Sequence, residues 1–288
     1  VRSSVPSTGF PSPAPAGDPV AVQVRSDQER LVDVMPSGAA VDAGTGTFRS
    51  PTTNTTDGVR RTARSTCKGC PVVSMWLTGG SVAFGLGQRD GRTIASDLVR
   101  QAAADHLDLR VRNLAVPGWT IDQVEASLRE RLAEGEAVPD VFVNLGGFND
   151  AVAALVESGL GTLRPDRPVL LVSDEIRRFE ASHLTLGTAG GTDHVAAVAA
   201  SRFRRAAAHI RRLLALDPDR VVFALHPVAM SDPIQFGPVR QAYEGIRPST
   251  GSAVRHVLDQ MAVDLEPWVL DLRSVYASVR PSSSAASR

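Results

Sequence analysis

The chain has 288 residues, enough for one large α/β domain or a domain with a long appendage; 43% of them are hydrophobic and 22% charged, ordinary values for a globular fold. Its formal net charge is zero, so no global charge points to nucleic acid or to an anionic membrane. No apolar run approaches the ~18 residues a membrane-spanning helix needs.

Residues 1–66 are rich in Pro, Ser, Thr and Gly, as in Phe10-Pro11-Ser12-Pro13-Ala14-Pro15, and cannot build a core alone; they read as an extended, linker-like N-terminal segment. The stretch from Phe48-Arg49 through Asp57-Gly58-Val59-Arg60 is the more ordered part, with Asp-Gly as a turn signal. Asn54-Thr55-Thr56 has the form of a glycosylation acceptor, a tripeptide common by chance. The chain opens on Val1 rather than methionine, so both ends are read as open and the lack of a leader carries no weight. Cys67 and Cys70 are its two cysteines. One C-x-x-C is half a zinc site, and the pair precedes a strand instead of opening a helix, which leaves a local disulfide or inert thiols. An oxidised pair favours an extracytoplasmic setting.

From residue 71 onward strands alternate with helices. Val72–Leu77 reads as a short buried strand, and a helix over about Thr93–His106 follows, with Ile94, Leu98 and Ala102 on one face. Leu109–Leu114 is the second strand. Thr120 is the expected N-cap of a helix reaching about Ala133 that turns Ile121, Val124 and Leu128 inward. Val141–Leu145 is the third strand, with a helix beginning at Asp150. Gly, Pro and Thr break the rhythm over residues 160–192, as an insertion or flap would. Then come a long helix over Ala196–Leu216, a strand at Arg220–Leu225, a helix containing Val254–Val263 and a fifth strand at Trp268–Leu272. The arginines at 202, 204, 205, 211 and 212 form the solvated flank of the long helix. Five such units predict a doubly wound five-stranded parallel sheet of flavodoxin-like order, flanked by helices, with ligands gathering at the strand C-termini.

Each of the first three strands ends in small or polar residues. Gly79-Gly80-Ser81 closes the first, where glycine permits a sharp turn and close approach of a substrate. Asn113-Leu114-Ala115-Val116-Pro117-Gly118 closes the second, leaving the Gly118 N–H free to face a ligand beside Trp119. Gly147-Phe148-Asn149-Asp150 closes the third; the Asn149 amide can donate to a developing oxyanion, while Asp150 suits a helix cap or loop brace. Any one of these is a common turn. Together, at consecutive strand ends with helix-sized spacing, they supply a nucleophile and an oxyanion hole. The glycine spacing fits neither G-x-G-x-x-G nor a P-loop, and Ala83 stands where a G-x-S-x-G elbow needs its second glycine. A flavin or nucleotide site is therefore set aside, and no metal or organic cofactor is implied.

In this order the blocks between Trp76 and Ala151 resemble the SGNH (GDSL-type) hydrolase superfamily, whose pattern is Gly-Asp-Ser, a glycine after the second strand, Gly-x-Asn-Asp after the third and Asp-x-x-His near the end. Phe84-Gly85 after the serine belongs to the same likeness. The resemblance implies Ser81 as nucleophile, with the N–H groups of Ser81 and Gly118 and the Asn149 side chain as oxyanion hole. Gly80 replaces the usual aspartate, as in Gly-Gly-Ser branches several of which deacylate sugars or polysaccharides. It thus implies a serine ester hydrolase on a small-molecule or carbohydrate O-acyl ester. The alternatives are an O-acyltransferase working through the same intermediate and a non-catalytic carbohydrate-binding protein.

Serine needs a neighbour to take its proton, and no Asp-x-x-His occurs in the sequence. The domain over residues 67–288 is therefore expected to be C-terminally incomplete, with its catalytic histidine beyond residue 288. Of the six histidines, His106, His209 and His256 fall within predicted helices, and His183 and His194 in or beside the insertion. His226 closes the fourth strand at the edge where the site belongs, so it is a candidate substrate contact or substitute base; Gly80 and Trp119 are likewise substrate-adjacent.

Overall fold

A computed structural model of the chain describes residues 40–42, 47–49, 54–56, 58–86, 88–160, 189–226 and 248–275. Four short strands come first: β1 (Ala40–Asp42), β2 (Thr47–Arg49), β3 (Asn54–Thr56) and β4 (Val59–Arg60). Then β5 (Val72–Gly79) leads into the one-turn helix α1 (Ser81–Phe84), and α2 (Ile94–Ala104) into β6 (Asp108–Asn113). Helix α3 (Ile121–Ala133), β7 (Val141–Gly146) and α4 (Phe148–Leu160) follow. The remaining elements are α5 (Ala189–Leu214), β8 (Val221–Leu225), α6 (Pro248–Leu265) and β9 (Leu270–Asp271).

All nine strands belong to one sheet of order β1-β2-β3-β4-β6-β5-β7-β8-β9. Strands β6, β5, β7, β8 and β9 are parallel, so the expected five-stranded core with the second strand outside the first is present. The segment expected to be extended cover contributes more than cover. Its residues between 40 and 60 form antiparallel strands that prolong the sheet beyond β6, joined to it where Arg60 faces Asn113.

The parallel core forms because apolar side chains fill both faces of the central strands. Trp76 and Leu77 of β5, Phe142 of β7 and Phe223 of β8 are all buried. Phe142 and Phe203 each meet the Phe223 ring edge-on, at centroid distances of 5.9 and 6.2 Å, which ties α5 to the sheet. Helix α5 also packs against α3, α4 and α6, while α2 lies on β6.

Helix α3 matches its expected limits: Gln123 Oε1 accepts from the Thr120 N–H at 2.8 Å, and Ile121, Val124 and Leu128 are buried. Helix α2 departs from expectation in part. Leu98 and Ala102 pack against the core, but the fully buried residues are Ala95, Ser96 and Val99, and Ile94 is exposed. The rotation follows from polar anchoring: Thr93 Oγ1 caps the Ser96 N–H, and Ser96 Oγ accepts from the Ala63 N–H at 2.9 Å, drawing that side of the helix in. Strand β9 starts at Leu270 rather than Trp268, because a turn continues from α6 and the Trp268 N–H bonds back to the Leu265 carbonyl. Helix α5 begins seven residues before the expected Ala196 and takes in Gly190 and Gly191; the rest of the expected insertion, residues 161–188, lies outside the described residues. Cys67 and Cys70 are joined by a disulfide in the connection before β5.

Phe142 has no exposed surface and contacts a second aromatic ring. Phe142→Ala is expected to lower the unfolding free energy by about 3–5 kcal/mol. Val263→Ser, on the exposed side of α6, is expected to change it by no more than about 0.5 kcal/mol. Urea unfolding of both variants checks the pair.

Candidate active site

Three loops leave the C-terminal edge of the parallel sheet side by side, after β6, β5 and β7. At the end of β5, Gly79 has φ +130°, and a Cβ there would stand 2.0 Å from the Leu145 carbonyl oxygen of β7. Only glycine allows that approach. Gly80 then caps α1 and Ser81 is its first residue, partly exposed. Gly85, left-handed at φ +77°, closes the turn by donating its N–H to the Ser81 and Val82 carbonyls. Among the described residues the Ser81 hydroxyl has no hydrogen-bond partner.

The loop after β6 is held against this turn by three bonds. The Val116 N–H donates to the Gly79 carbonyl at 3.0 Å. Buried Asn113 donates its side-chain amide to the Ala83 carbonyl of α1 at 2.9 Å, and its Oδ1 accepts from the Ala115 N–H at 3.1 Å. Gly118 takes φ +85°, and its N–H has no partner among the described residues. Trp119 is buried and meets the site through its backbone: its carbonyl accepts from Asn149 Nδ2 at 2.8 Å, while its indole N–H has no partner among the described residues.

The loop after β7 supplies the third part. Gly147 has φ +98°, with Leu225 of β8 where its Cβ would be. Asn149 is buried, and the bond to Trp119 orients its amide while leaving the second Nδ2 proton available. That amide lies against Gly80, whose Cβ would come within 2.5 Å of Nδ2. Ser81, Gly118 and Asn149 thus stand on three loops whose atoms meet around Gly80. An aspartate at position 80, as in the more usual pattern, would collide with the Asn149 amide in this geometry.

Asp150 acts as the loop brace expected of it. Its Oδ1 accepts from the Ile121 N–H at 2.9 Å and its Oδ2 from the Gly147 N–H at 3.2 Å, linking the start of α3 to the β7 loop. Burial pushes its pKa up to about 7, against these hydrogen bonds, which favour the ionised form. Deeper in the sheet Thr78 Oγ1 donates to Asn144 Oδ1, and Asn144 Nδ2 is buried with no partner among the described residues.

His226 follows β8 at the same edge. It is buried, its N–H bonds to the Gly146 carbonyl at 3.1 Å, and its ring lies 5.9 Å from that of Phe148. The register pairs Gly79 with Leu145 and Leu145 with Ala224, so the ends of β5 and β8 lie on either side of β7 at the same edge of the sheet. The other described histidines are elsewhere: His209 pairs with Glu125, His256 with Asp193, His194 is exposed on α5, and His106 lies past the end of α2. Residue 183 is outside the described residues. Groups of three or more metal-ligating side chains are absent among the described residues.

Two parts of this arrangement escaped sequence reading. Asn113 carried the only available signal, a polar side chain ending an apolar strand. Arg60, which lies with its guanidinium 4.8 Å from the centre of the Phe84 ring, gave none.

No protein-family model matches the chain, and no curated protein is similar to it in sequence. Solved structures similar to it include a lipase/acylhydrolase from Enterococcus faecalis, with 18% identity over 73% of this chain and 80% of that one at a TM-score of 0.38. The acetyl xylan esterase AlAXEase is 16% identical over 71% of this chain and 79% of its own, with a TM-score of 0.37. TesA is 17% identical over 68% of this chain and 99% of its own, with a TM-score of 0.32.

A methyl group at position 80 must displace the Asn149 amide from Trp119. Gly80→Ala is therefore expected to leave the protein folded and to lower any turnover at this site by about 10²-fold, the scale of one lost oxyanion donor. Steady-state kinetics beside circular dichroism decide this. Asp150 titrates higher in the folded chain than its ordinary value, so its contribution to stability is full at acidic pH and is lost as pH rises through about 7. Thermal melts from pH 4 to 8 should show Tm falling between about pH 4 and 7 in the parent and a flatter profile over that window in Asp150→Asn.

Proposed function

We propose that the chain is a serine ester hydrolase in which Ser81 is the nucleophile. The observation that carries this reading is the meeting of the three loops at Gly80, with the Ser81 hydroxyl and the Gly118 N–H unpartnered among the described residues and the Asn149 amide beside them. Ser81 Oγ attacks the acyl carbonyl carbon, and the N–H groups of Ser81 and Gly118 with Asn149 Nδ2 stabilise the oxyanion. The alcohol leaves with a proton, and water releases the acyl group from Ser81.

The roles of the neighbouring groups follow from the same proposal. Asn113 holds α1, and Asp150 holds the Gly118 and Asn149 loops in register, so the donors are set before substrate arrives. Glycines at 79 and 80 let the Leu145 carbonyl and the Asn149 amide close on the Ser81 turn. The resemblance to Gly-Gly-Ser branches of the SGNH hydrolases supports an O-acyl carbohydrate as substrate. His226, at the same edge of the sheet, is a substrate contact or a substitute base in this reading.

A serine-directed fluorophosphonate applied to the complete native polypeptide tests this. Labelling of the parent and none of Ser81→Ala is the expected result, together with a kcat for aryl acetate hydrolysis lowered about 10²–10³-fold in Asn149→Ala. Equal labelling of Ser81→Ala, or none of the parent, would leave the non-catalytic carbohydrate-binding reading in its place.

A further inference from the structure

The turn bearing Ser81 is a single helical turn, too short to hold its own geometry. Its support comes partly from a cluster assembled by a remote stretch of chain. Arg60 of β4 is fully buried; its Nε donates to Asp90 Oδ1 at 3.0 Å and its Nη2 to the Gln88 carbonyl at 2.7 Å. Its guanidinium covers the ring of Phe84, three residues after Ser81. Asp90 in turn accepts twice from Asn54 of β3: from the backbone N–H at 3.0 Å and from Nδ2 at 2.6 Å. One cation thus grips the last residue of α1 and two points of the loop behind it, and its own carboxylate partner is aimed from β3.

This arrangement is poor as a device for stability alone. Arg60 Nη1 is buried without a hydrogen-bond partner among the described residues, and a buried ion pair commonly gains little over apolar residues of similar size. What the fork supplies is fixed geometry, since a planar guanidinium can bond a carboxylate and a carbonyl while stacking on a ring.

We propose that Arg60, oriented by Asp90 and Asn54, is a positioning residue for Ser81, so that β3 and β4 form part of the catalytic apparatus. The proposal rests on the reading of Ser81 as nucleophile. The Asn54 side chain is then a structural ligand of Asp90 and not a glycan acceptor. Arg60→Met should keep the fold, filling the space with an apolar chain of similar length, yet release Gln88 and Asp90. Arg60→Lys retains the charge without the fork and should fall between parent and Arg60→Met.

Two readouts on the native polypeptide decide it. Amide hydrogen exchange at Phe84, Gly85 and Leu86, all bonded back into the Ser81 turn, is expected to rise at least 10-fold in Arg60→Met, with exchange within α6 unchanged. The kcat for an aryl acetate should fall at least 10-fold while KM moves less than 2-fold. Met261→Ala, in the buried face of α6, should lower Tm and leave kcat unchanged, which separates positioning from general loss of stability. Unchanged exchange in the Ser81 turn of Arg60→Met would overturn the proposal, as would faster exchange with an unaltered kcat. Failure of the nucleophile reading shows itself separately, as fluorophosphonate labelling that survives Ser81→Ala, and would remove the catalytic half of the proposal while the exchange result still judges the brace.

Discussion

Everything at the C-terminal edge of the sheet depends on how closely β5 and β7 approach where they end. The Leu145 carbonyl oxygen occupies the space a side chain at position 79 would need, so β5 must end in glycine before the chain can turn into α1. That approach places Gly80 against Asn149 and, through the Val116 bond to Gly79, brings the β6 loop alongside. Parallel pairing sets the level of the three loops, and the absence of side chains at 79 and 80 lets them close on one another. A doubly wound sheet offers a crevice of this kind where its strand order reverses, between β6 and β7 on either side of β5.

Loops brought so close must satisfy their polar groups, and they do so with side chains buried for the purpose. Asn113 joins the β6 loop to α1, Asn149 joins the β7 loop to the Trp119 carbonyl, and Asp150 bonds amides on both sides. Each replaces water that the packing excludes, since an unpaired buried amide or carbonyl costs on the order of 1–3 kcal/mol. The Ser81 hydroxyl and the Gly118 N–H are among the groups without a partner among the described residues. Asp150 shows the cost of the solution: a carboxylate taken out of water for its geometry, with its pKa raised in consequence.

The edge beyond β6 carries a second layer of support. In a five-stranded core β6 would be an exposed edge strand, open to pairing with any other chain. Here β4 pairs with it at Arg60 and Asn113, and the two residues at that one register point both reach α1, Arg60 over Phe84 and Asn113 to Ala83. Covering the sheet edge and bracing the serine turn are therefore achieved by the same pairing.

The sequence by itself determined the alternation of strands and helices, the parallel core and its order, and the identity of the three strand-end loops. Those features are written in local periodicity and in small residues where apolar runs stop, signals that need only neighbouring positions to be read. The strand ends that carry Ser81, Gly118 and Asn149 were legible for that reason, and Thr120 as the cap of α3 likewise. The tertiary structure decided that Trp119 is buried and contributes its carbonyl, that Ile94 faces outward while Ser96 is drawn in, and that residues between 40 and 60 extend the sheet. It also decided the partnership of Arg60, Asp90 and Asn54. These are contacts between residues far apart in the chain, 30 positions for Arg60 and Asp90 and 36 for Asn54 and Asp90, and an arginine in a polar stretch looks like solvated surface until the fold places an aromatic ring beneath it and a carboxylate at its side.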